Sequence, residues 1–282
     1  MKIGKYSVHS LLSGGFKLDG GAMFGIIPKP LWSKSNPADQ LNRISLVTRN
    51  LLLVSDSRKI LIDTGMGNKW NDKAKEIYEI DFSQHSLEHS LKELGIEPSE
   101  ITDVLLTHLH FDHTGGSTKE ENGKLIPAFP NAKYFVAKEN YEWGMKATDR
   151  DKGSYLKENF QVLFENGVLH FFDMKENFFD NEIELLSVNG HTIGQRLFKI
   201  FDSSNTLLYC GDLFPTSSHI PLPYIMGYDL QPLITLSEKK EILPIAVEVN
   251  WKLVFEHDPF FAAATVAKSE KGFSVRERFE TL

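Results

Sequence analysis

Four side chains able to ligate a metal, His108, His110, Asp112 and His113, fall within six consecutive positions of the stretch DVLLTHLHFDHTGG, residues 103–116. Imidazole nitrogens and carboxylate oxygens at that density form a donor set for a divalent cation. The run before them, Asp103–Thr107, reads as a short strand. At an extended strand end His108 and His110, two residues apart, present their rings on one face, whereas on a helix they would diverge. Asp112 and His113 are adjacent and cannot share that face. Gly115 and Gly116 allow a sharp turn that aims the second pair at a neighbouring point. The loop thus offers two nitrogens to one ion, and a nitrogen with a carboxylate oxygen to another. Such donors suit zinc, with manganese, iron or cobalt as substitutes.

One loop does not complete two coordination shells, and further ligand types stand at the ends of other apolar runs. SVNGHTIGQ sets His191 after a strand, LLYCGD ends in Asp212, LVFEHD carries His257, and ILID ends in Asp63. Functional residues of layered α/β folds collect at such strand ends. Each also has a plainer reading when taken alone. Asp212 can cap a following helix, Asp63 can cap the DTGMG turn, and His191 and His257 can be ordinary strand-end histidines. His85 and His89 lie four apart with no third ligand nearby and read as exposed helix residues. His9, His170 and the Phe-rich LHFFDMKENFF read as strand and core material, and Cys210 as a buried thiol.

The elements that must position these residues follow from periodicity. ISLVTRNLLLVSDSRKILIDTG reads as two strands joined by a polar turn at Ser55–Arg58. SQHSLEHSLKELGI carries Leu87, Leu91 and Leu94 at helical spacing and stops at Gly95. AKYFVAK reads as a strand, ENYEWGMK and SYLKENFQVLFENG as helices. IELLSVNG, QRLFKIFDSS and NTLLYCGD read as strands, followed by a helix around Leu236–Val249, a strand at KLVFEHD and more strands beyond Ala262. Strands with inserted helices in both halves suggest α/β layers around paired sheets. No Pro/Gly/Ser linker divides the chain, so residues 1–282 read as one domain.

Composition narrows the partners. The chain carries 31 Lys and Arg against 38 Asp and Glu, a formal charge of −7, which argues against a nucleic-acid surface built on clustered cations. No stretch approaches the ~20 apolar residues that span a bilayer. MKIGKYSVHSLLSGG lacks a continuous apolar core, so no signal peptide is expected and no membrane partner. A single cysteine excludes an internal disulfide framework and a cysteine-rich zinc site, and with the rest points to the cytoplasm.

THLHFDH, followed in order by a Gly-His-Thr, a Gly-Asp and a late His, resembles the metallo-β-lactamase superfamily of two-metal hydrolases, over most of the chain from Asp63 to His257. The resemblance implies a four-layer αβ/βα sandwich. It also implies that His108, His110 and His191 hold a first metal, that Asp112, His113 and His257 hold a second, and that Asp212 bridges them. Asp63 in that scheme is not a ligand but a carboxylate that orients the histidine loop. Five neutral histidines, two carboxylates, two divalent ions and a bridging hydroxide leave about one net positive charge. The implied chemistry is hydrolysis by that hydroxide, with Asp112 and Asp212 as the catalytic carboxylates and Asp112 able to relay a proton.

Within the superfamily, Asp212 sets the chain apart from true zinc β-lactamases, and His110 from the flavodiiron branch, which has a glutamate there. Glyoxalase II shares all seven ligands, but its C-terminal substrate module finds no match. Processing nucleases share them too, against the acidic balance here. GGAMFGIIPKPLW and GDLFPTSSHIPLPYIMGYD resemble the branch of acyl-homoserine lactonases and methyl-parathion-hydrolase-like enzymes. The reading is therefore a hydrolase of lactones, esters or phosphotriesters, best matched to an acyl-homoserine lactonase. A glyoxalase II-like thioester hydrolase and a metal-binding protein without catalysis are the alternatives. Met23, Phe24, Ile220, Leu222, Tyr224 and Met226 are candidate walls for an apolar substrate portion, with Met23 and Phe24 equally readable as packing. The small lactonases carry a tyrosine three residues after the bridging aspartate. Here that position is Pro215, which leaves Tyr224, Tyr228 or His219 to take its hydrogen bond. A homodimer contact is the other use open to the apolar N-terminal segment.

Overall fold

The computed structural model describes residues 1–173 and 177–282; part of the Phe-rich stretch read above as strand and core, residues 174–176, lies outside the described residues. At the N-terminus β1 (Lys2–Ile3) pairs with the long β2 (Tyr6–Asp19). Two short helices, α1 (Gly20–Phe24) and α2 (Lys29–Trp32), lead into β3 (Arg43–Val54), and β4 (Lys59–Ile62) returns beside it. Helices α3 (Asp72–Tyr78) and α4 (Leu87–Glu93) carry the chain back to β5 (Asp103–Leu105), which lies parallel to β4. A single helical turn, α5 (Phe111–Thr114), and the hairpin of β6 (Thr118–Glu121) and β7 (Lys124–Pro127) precede β8 (Lys133–Val136). After α6 (Lys138–Met145) and α7 (Gln161–Glu165), β9 (Leu169–Phe171) completes a seven-stranded sheet of order β1-β2-β3-β4-β5-β8-β9.

The second sheet has seven strands in chain order. These are β10 (Phe178–Asp180), β11 (Ile183–Val188), β12 (Gln195–Phe201) and β13 (Thr206–Tyr209), then β14 (Lys252–Val254), β15 (Ala263–Ser269) and β16 (Gly272–Phe279). The long helix α8 (Pro232–Glu248) is the crossover between the parallel strands β13 and β14.

Alternation along the strands fixes the layers, because successive side chains leave opposite faces of a sheet. In β3, Leu51 and Leu53 point inward and pack with Ile60 and Ile62 against Phe198, Ile200, Leu207 and Tyr209 of the second sheet. Leu52, between them, points outward and joins Leu61, Val104, Leu91 of α4 and Leu163 of α7. On the far side Leu197, Leu208 and Leu253 meet Ile242, Leu243 and Ala246 of α8. Helices, sheet, sheet, helix: this is the four-layer αβ/βα sandwich.

One helix expectation fails in an instructive way. SYLKENFQVLFENG is not continuous, because Phe160 leaves the helical region at φ −136°, ψ −28° between a 3-10 turn at Lys157–Asn159 and α7. Main-chain groups there are claimed from outside: Phe111 N–H donates to Ser154 O, and Thr118 Oγ1 donates to Glu158 O. Tertiary demand outweighs propensity. In contrast α8 starts four residues before the expected Leu236, at a proline whose missing N–H costs nothing in the first turn.

Candidate metal centre

Parallel pairing explains why distant polar residues meet. β4 and β5 run side by side and end together, leaving Asp63 next to the loop that begins at Thr107. β13 and β14 do the same for Asp212 and His257, and β11, two antiparallel steps from β13, delivers His191 to the same edge. One ligand atom from each of His108, His110, His191 and Asp212 lies within 4.8 Å of the others, and the same holds for Asp112, His113 and His257. All seven are buried.

Asp212 stands between the sets. Its Oδ2 is 3.1 Å from His191 Nε2, while its Oδ1 is 3.1 Å from His257 Nε2 and 3.5 Å from His113 Nε2. It sits in a 3-10 turn, Gly211–Leu213, with its carboxylate turned to the histidines rather than to a helix end. Asp112 faces the second set, 3.7 Å from His257 Nε2 and 3.9 Å from His113 Nε2.

The other ring nitrogen fixes each tautomer. His257 Nδ1 donates to Val47 O at 2.9 Å, and a carbonyl can only accept. His191 Nδ1 donates to Asp229 Oδ1 at 2.9 Å, and His113 Nδ1 to Asp63 Oδ2 at 3.0 Å. His108 Nδ1 donates to Thr107 Oγ1 at 3.0 Å, whose own proton goes to Asp63 Oδ2 at 2.6 Å. In all four rings the Nε2 lone pair is left for the centre. Two buried atoms of the sets, His108 Nε2 and Asp212 Oδ1, have no hydrogen-bond partner, and His110 turns its Nδ1 to them, 3.0 Å from His191 Nε2. Orphaned buried acceptors are costly, and two converging on one place fit divalent cations. With imidazole and carboxylate donors and no thiolate, zinc suits the set.

Electrostatics divide the cluster. Burial, reinforced by neighbouring histidines, pushes His108 and His110 well below the usual imidazole range. Burial also opposes charge on His113, but Glu256, Asp212 and Asp112 override it and raise that ring well above the range. His257 is pushed up to about 9, Asp212 outweighing the burial that would lower it. Asp212 falls well below the carboxylate range despite burial, because His191, His113 and His257 surround it.

Several expectations about this loop change. Asp112 and His113 are turned by the helical turn α5, not by a sharp bend at the glycines. Gly115 and Gly116 serve close packing instead: a Cβ would lie 1.9 Å from Met66 O at the first and 2.2 Å from Thr64 O at the second. Asp63 does not cap its own turn but accepts from Thr107 N at 2.7 Å as well as from His113, which holds it at φ 54°. Glu256, unnoticed in the sequence, places Oε2 2.9 Å from His113 Nδ1; its position after an apolar strand and before His257 was the available signal. Asp229 and Asn140 had no such signal. Asn140 accepts from Leu109 N at 2.8 Å and donates to Ile193 O at 2.7 Å, tying the two loops that carry His108, His110 and His191.

A cavity of about 290 Å³ opens over the centre, touching His110, Asp112, His191, Asp212 and His257. Met23 and Met226 line it, together with Leu18, Phe111, Leu230, Tyr78, Tyr228 and Arg150. Phe24, His219 and Tyr224 stand behind that wall. Phe24 is stacked between Trp32 and His219, at 5.3 and 4.7 Å between ring centroids, and Tyr224 meets it edge-on. His219 donates from Nε2 to Met23 O at 2.8 Å and is pushed down to about 4 by burial. His85 and His89 join no ligand cluster among the described residues, and the Cys210 thiol is wholly buried. No helix among the described residues is long and apolar enough to cross a membrane.

Comparison with known proteins agrees with this geometry. The family model described as the metallo-beta-lactamase superfamily matches residues 46–257. The N-acyl homoserine lactonase AttM of Rhizobium johnstonii is 28% identical over 190 residues, covering 65% of this chain and 68% of the relative. The AttM of Agrobacterium fabrum is 26% identical, with 62% of its own length covered, less than two thirds. An N-acyl homoserine lactonase of Bacillus thuringiensis is 28% identical over 73% of this chain and 79% of its own. Among solved structures, a probable metal-dependent hydrolase from Staphylococcus aureus aligns over 99% of this chain and 98% of its own, with a TM-score of 0.88 and 30% identity. AidC, a dizinc quorum-quenching lactonase solved with an N-acyl-homoserine product, aligns with a TM-score of 0.80 at 21% identity, over 98% of this chain and 95% of its own.

Proposed function

Because the chain belongs to the metallo-beta-lactamase superfamily, we propose that it is a two-metal hydrolase that opens lactones or cleaves related esters, an acyl-homoserine lactone being the best-matched substrate. The observation that carries this reading is the division of Asp212 between two ligand sets, one oxygen toward His191 and the other toward His113 and His257. His108, His110 and His191 would hold one ion, Asp112, His113 and His257 the other, with Asp212 bridging. Two such ions, zinc by the donor chemistry, would polarise a carbonyl and acidify water to a pKa of about 7.

The chain's own groups supply the rest. Asp63, Asp229 and Val47 O keep the rings turned so that Nε2 faces the centre. Asp112 borders the cavity and is the carboxylate we assign to take a proton from attacking water and return it to the leaving alcohol. Pro215 leaves the lactonase tyrosine position empty of a phenol, and Tyr228 is the replacement that reaches the cavity. Burial, with Tyr78, Asp19 and Asp112 nearby, pushes its phenol above the usual tyrosine range, so it stays a donor at neutral pH. Leu18, Met23, Phe111, Met226 and Leu230 offer an apolar wall for an acyl chain, while Arg150 and Tyr78 keep the mouth polar.

A substrate panel tests the reading: a long-chain acyl-homoserine lactone, an aryl phosphotriester, a thioester and a cephalosporin, each with metal-loaded protein. The lactone is expected to turn over fastest and the cephalosporin not at all. Turnover of the thioester alone would move the protein to a glyoxalase II-like role, and no turnover of any ester would leave a metal-binding protein.

A further inference from the structure

α8 carries a cation on its buried face. Lys239 is 0% exposed. Its ammonium donates to three main-chain carbonyls, those of His219 at 2.6 Å, Pro221 at 2.9 Å and Tyr224 at 2.8 Å. The Phe214 ring lies 5.5 Å away. Among the described residues no carboxylate forms an ion pair with it, and Asp229 acts on it only from a distance, being engaged with His191 and Thr235. Burial pulls the amine down to about 7, while three carbonyls, each needing a donor, favour the form with three N–H groups. Removing an ammonium from water is expensive, and these three bonds offset that cost by gathering carbonyls of the stretch that runs from His219 to Tyr224.

What they hold is a segment without a ladder of its own. Between Ile220 and Gln231 there is no helix or strand, and Pro221 and Pro223 have no N–H to give. From this segment hang Met226, Tyr228 and Leu230 on the cavity wall. His219, at the end of the 3-10 turn Ser217–His219 that precedes it, in turn carries the Met23 carbonyl. We propose that Lys239 is the positioning residue of the substrate cavity: its ammonium pins His219–Tyr224 and so sets the wall of Met23, Met226 and Tyr228 that selects an apolar acyl or aryl group. The selectivity part rests on the hydrolase reading; the pinning part does not.

Hydrogen exchange and kinetics test the two parts separately. In the wild-type protein the amides of residues 224–231 are expected to exchange slowly, and in Lys239→Met about tenfold faster or more, with residues 103–116 and the metal content unchanged. For long-chain against short-chain ester, the ratio of kcat/KM is expected to fall about tenfold, through KM for the long chain rather than kcat. If Lys239→Met does not fold, Lys239→Gln, which keeps two N–H donors, is expected to show the same changes to a smaller degree. Unprotected wild-type exchange in 224–231, or exchange rising over the whole variant with metal lost, overturns the pinning. An unchanged chain-length ratio with faster exchange overturns the selectivity. A wild-type protein that hydrolyses no ester defeats the hydrolase reading, and the exchange result then judges the pinning alone.

Discussion

An imidazole binds a cation through the nitrogen that carries no proton, so for His108, His113, His191 and His257 whatever holds Nδ1 decides which nitrogen is offered. Here those partners are Thr107, Asp63, Asp229 and a carbonyl, and none of them competes for Nε2. His219 has the opposite fate: both its nitrogens are used by the protein, Nδ1 accepting from Thr216 Oγ1 and Nε2 donating to Met23 O. Burial pushes it down to about 4, against an ordinary value near 6.5 in the unfolded chain. Between those values the unfolded chain binds a proton that the native ring refuses. Stability from this group is therefore full above about pH 6.5 and is lost as the pH falls toward 4, by about 3 kcal/mol. Urea unfolding of metal-stripped wild type and His219→Gln should show that extra loss in the wild type alone; equal losses would contradict it. The candidate ligands were legible in the sequence because their types are rare at strand ends and fall in a known order. Asp229 was not, since it reaches His191 across 38 positions from an irregular segment that only tertiary bonds define.

At the scale of elements, short pieces do the positioning. α5 is one turn long, yet it separates His110 from Asp112 and His113 and gives each pair its own direction. The sequence suggested glycine bends there, but the glycines are the surface on which the loop after Asp63 rests, and Lys69 Nζ donates to Gly115 O and Thr118 O to close it. A methyl group at Gly115 would meet the Met66 main chain, which cannot swing aside as a side chain can. Gly115→Ala should cost at least about 2 kcal/mol in urea unfolding, while Gly153→Ala, with nothing within 4 Å and no positive φ, should be near neutral. Equal stability of the two variants would remove the close-packing role. Periodicity placed α6, β3, β8 and β11 within a residue or two, but began α4 at Ser83, four residues before its observed start at Leu87. It misplaced the break at Phe160 because the carbonyls that end the helix are taken by groups far away in sequence.

At the scale of the molecule, the centre is where the two sheets are joined by polar residues. His108, His110, Asp112 and His113 come from the first sheet; His191, Asp212 and His257 come from the second. The layer order was accessible only through the resemblance, because alternation tells which residues face inward but not which strands are neighbours. Ions bound there would tie the sheets together and stabilise the native state by mass action. The most direct test is a titration of metal-stripped protein with zinc, following bound metal, melting temperature and hydrolysis of an acyl-homoserine lactone together. Two equivalents are expected to bind, the melting temperature to rise, and activity to reach its plateau only at the second equivalent, with Asp212→Ala losing the second equivalent and the activity at once. Saturation at one equivalent, or full activity in Asp212→Ala, would contradict the two-metal centre.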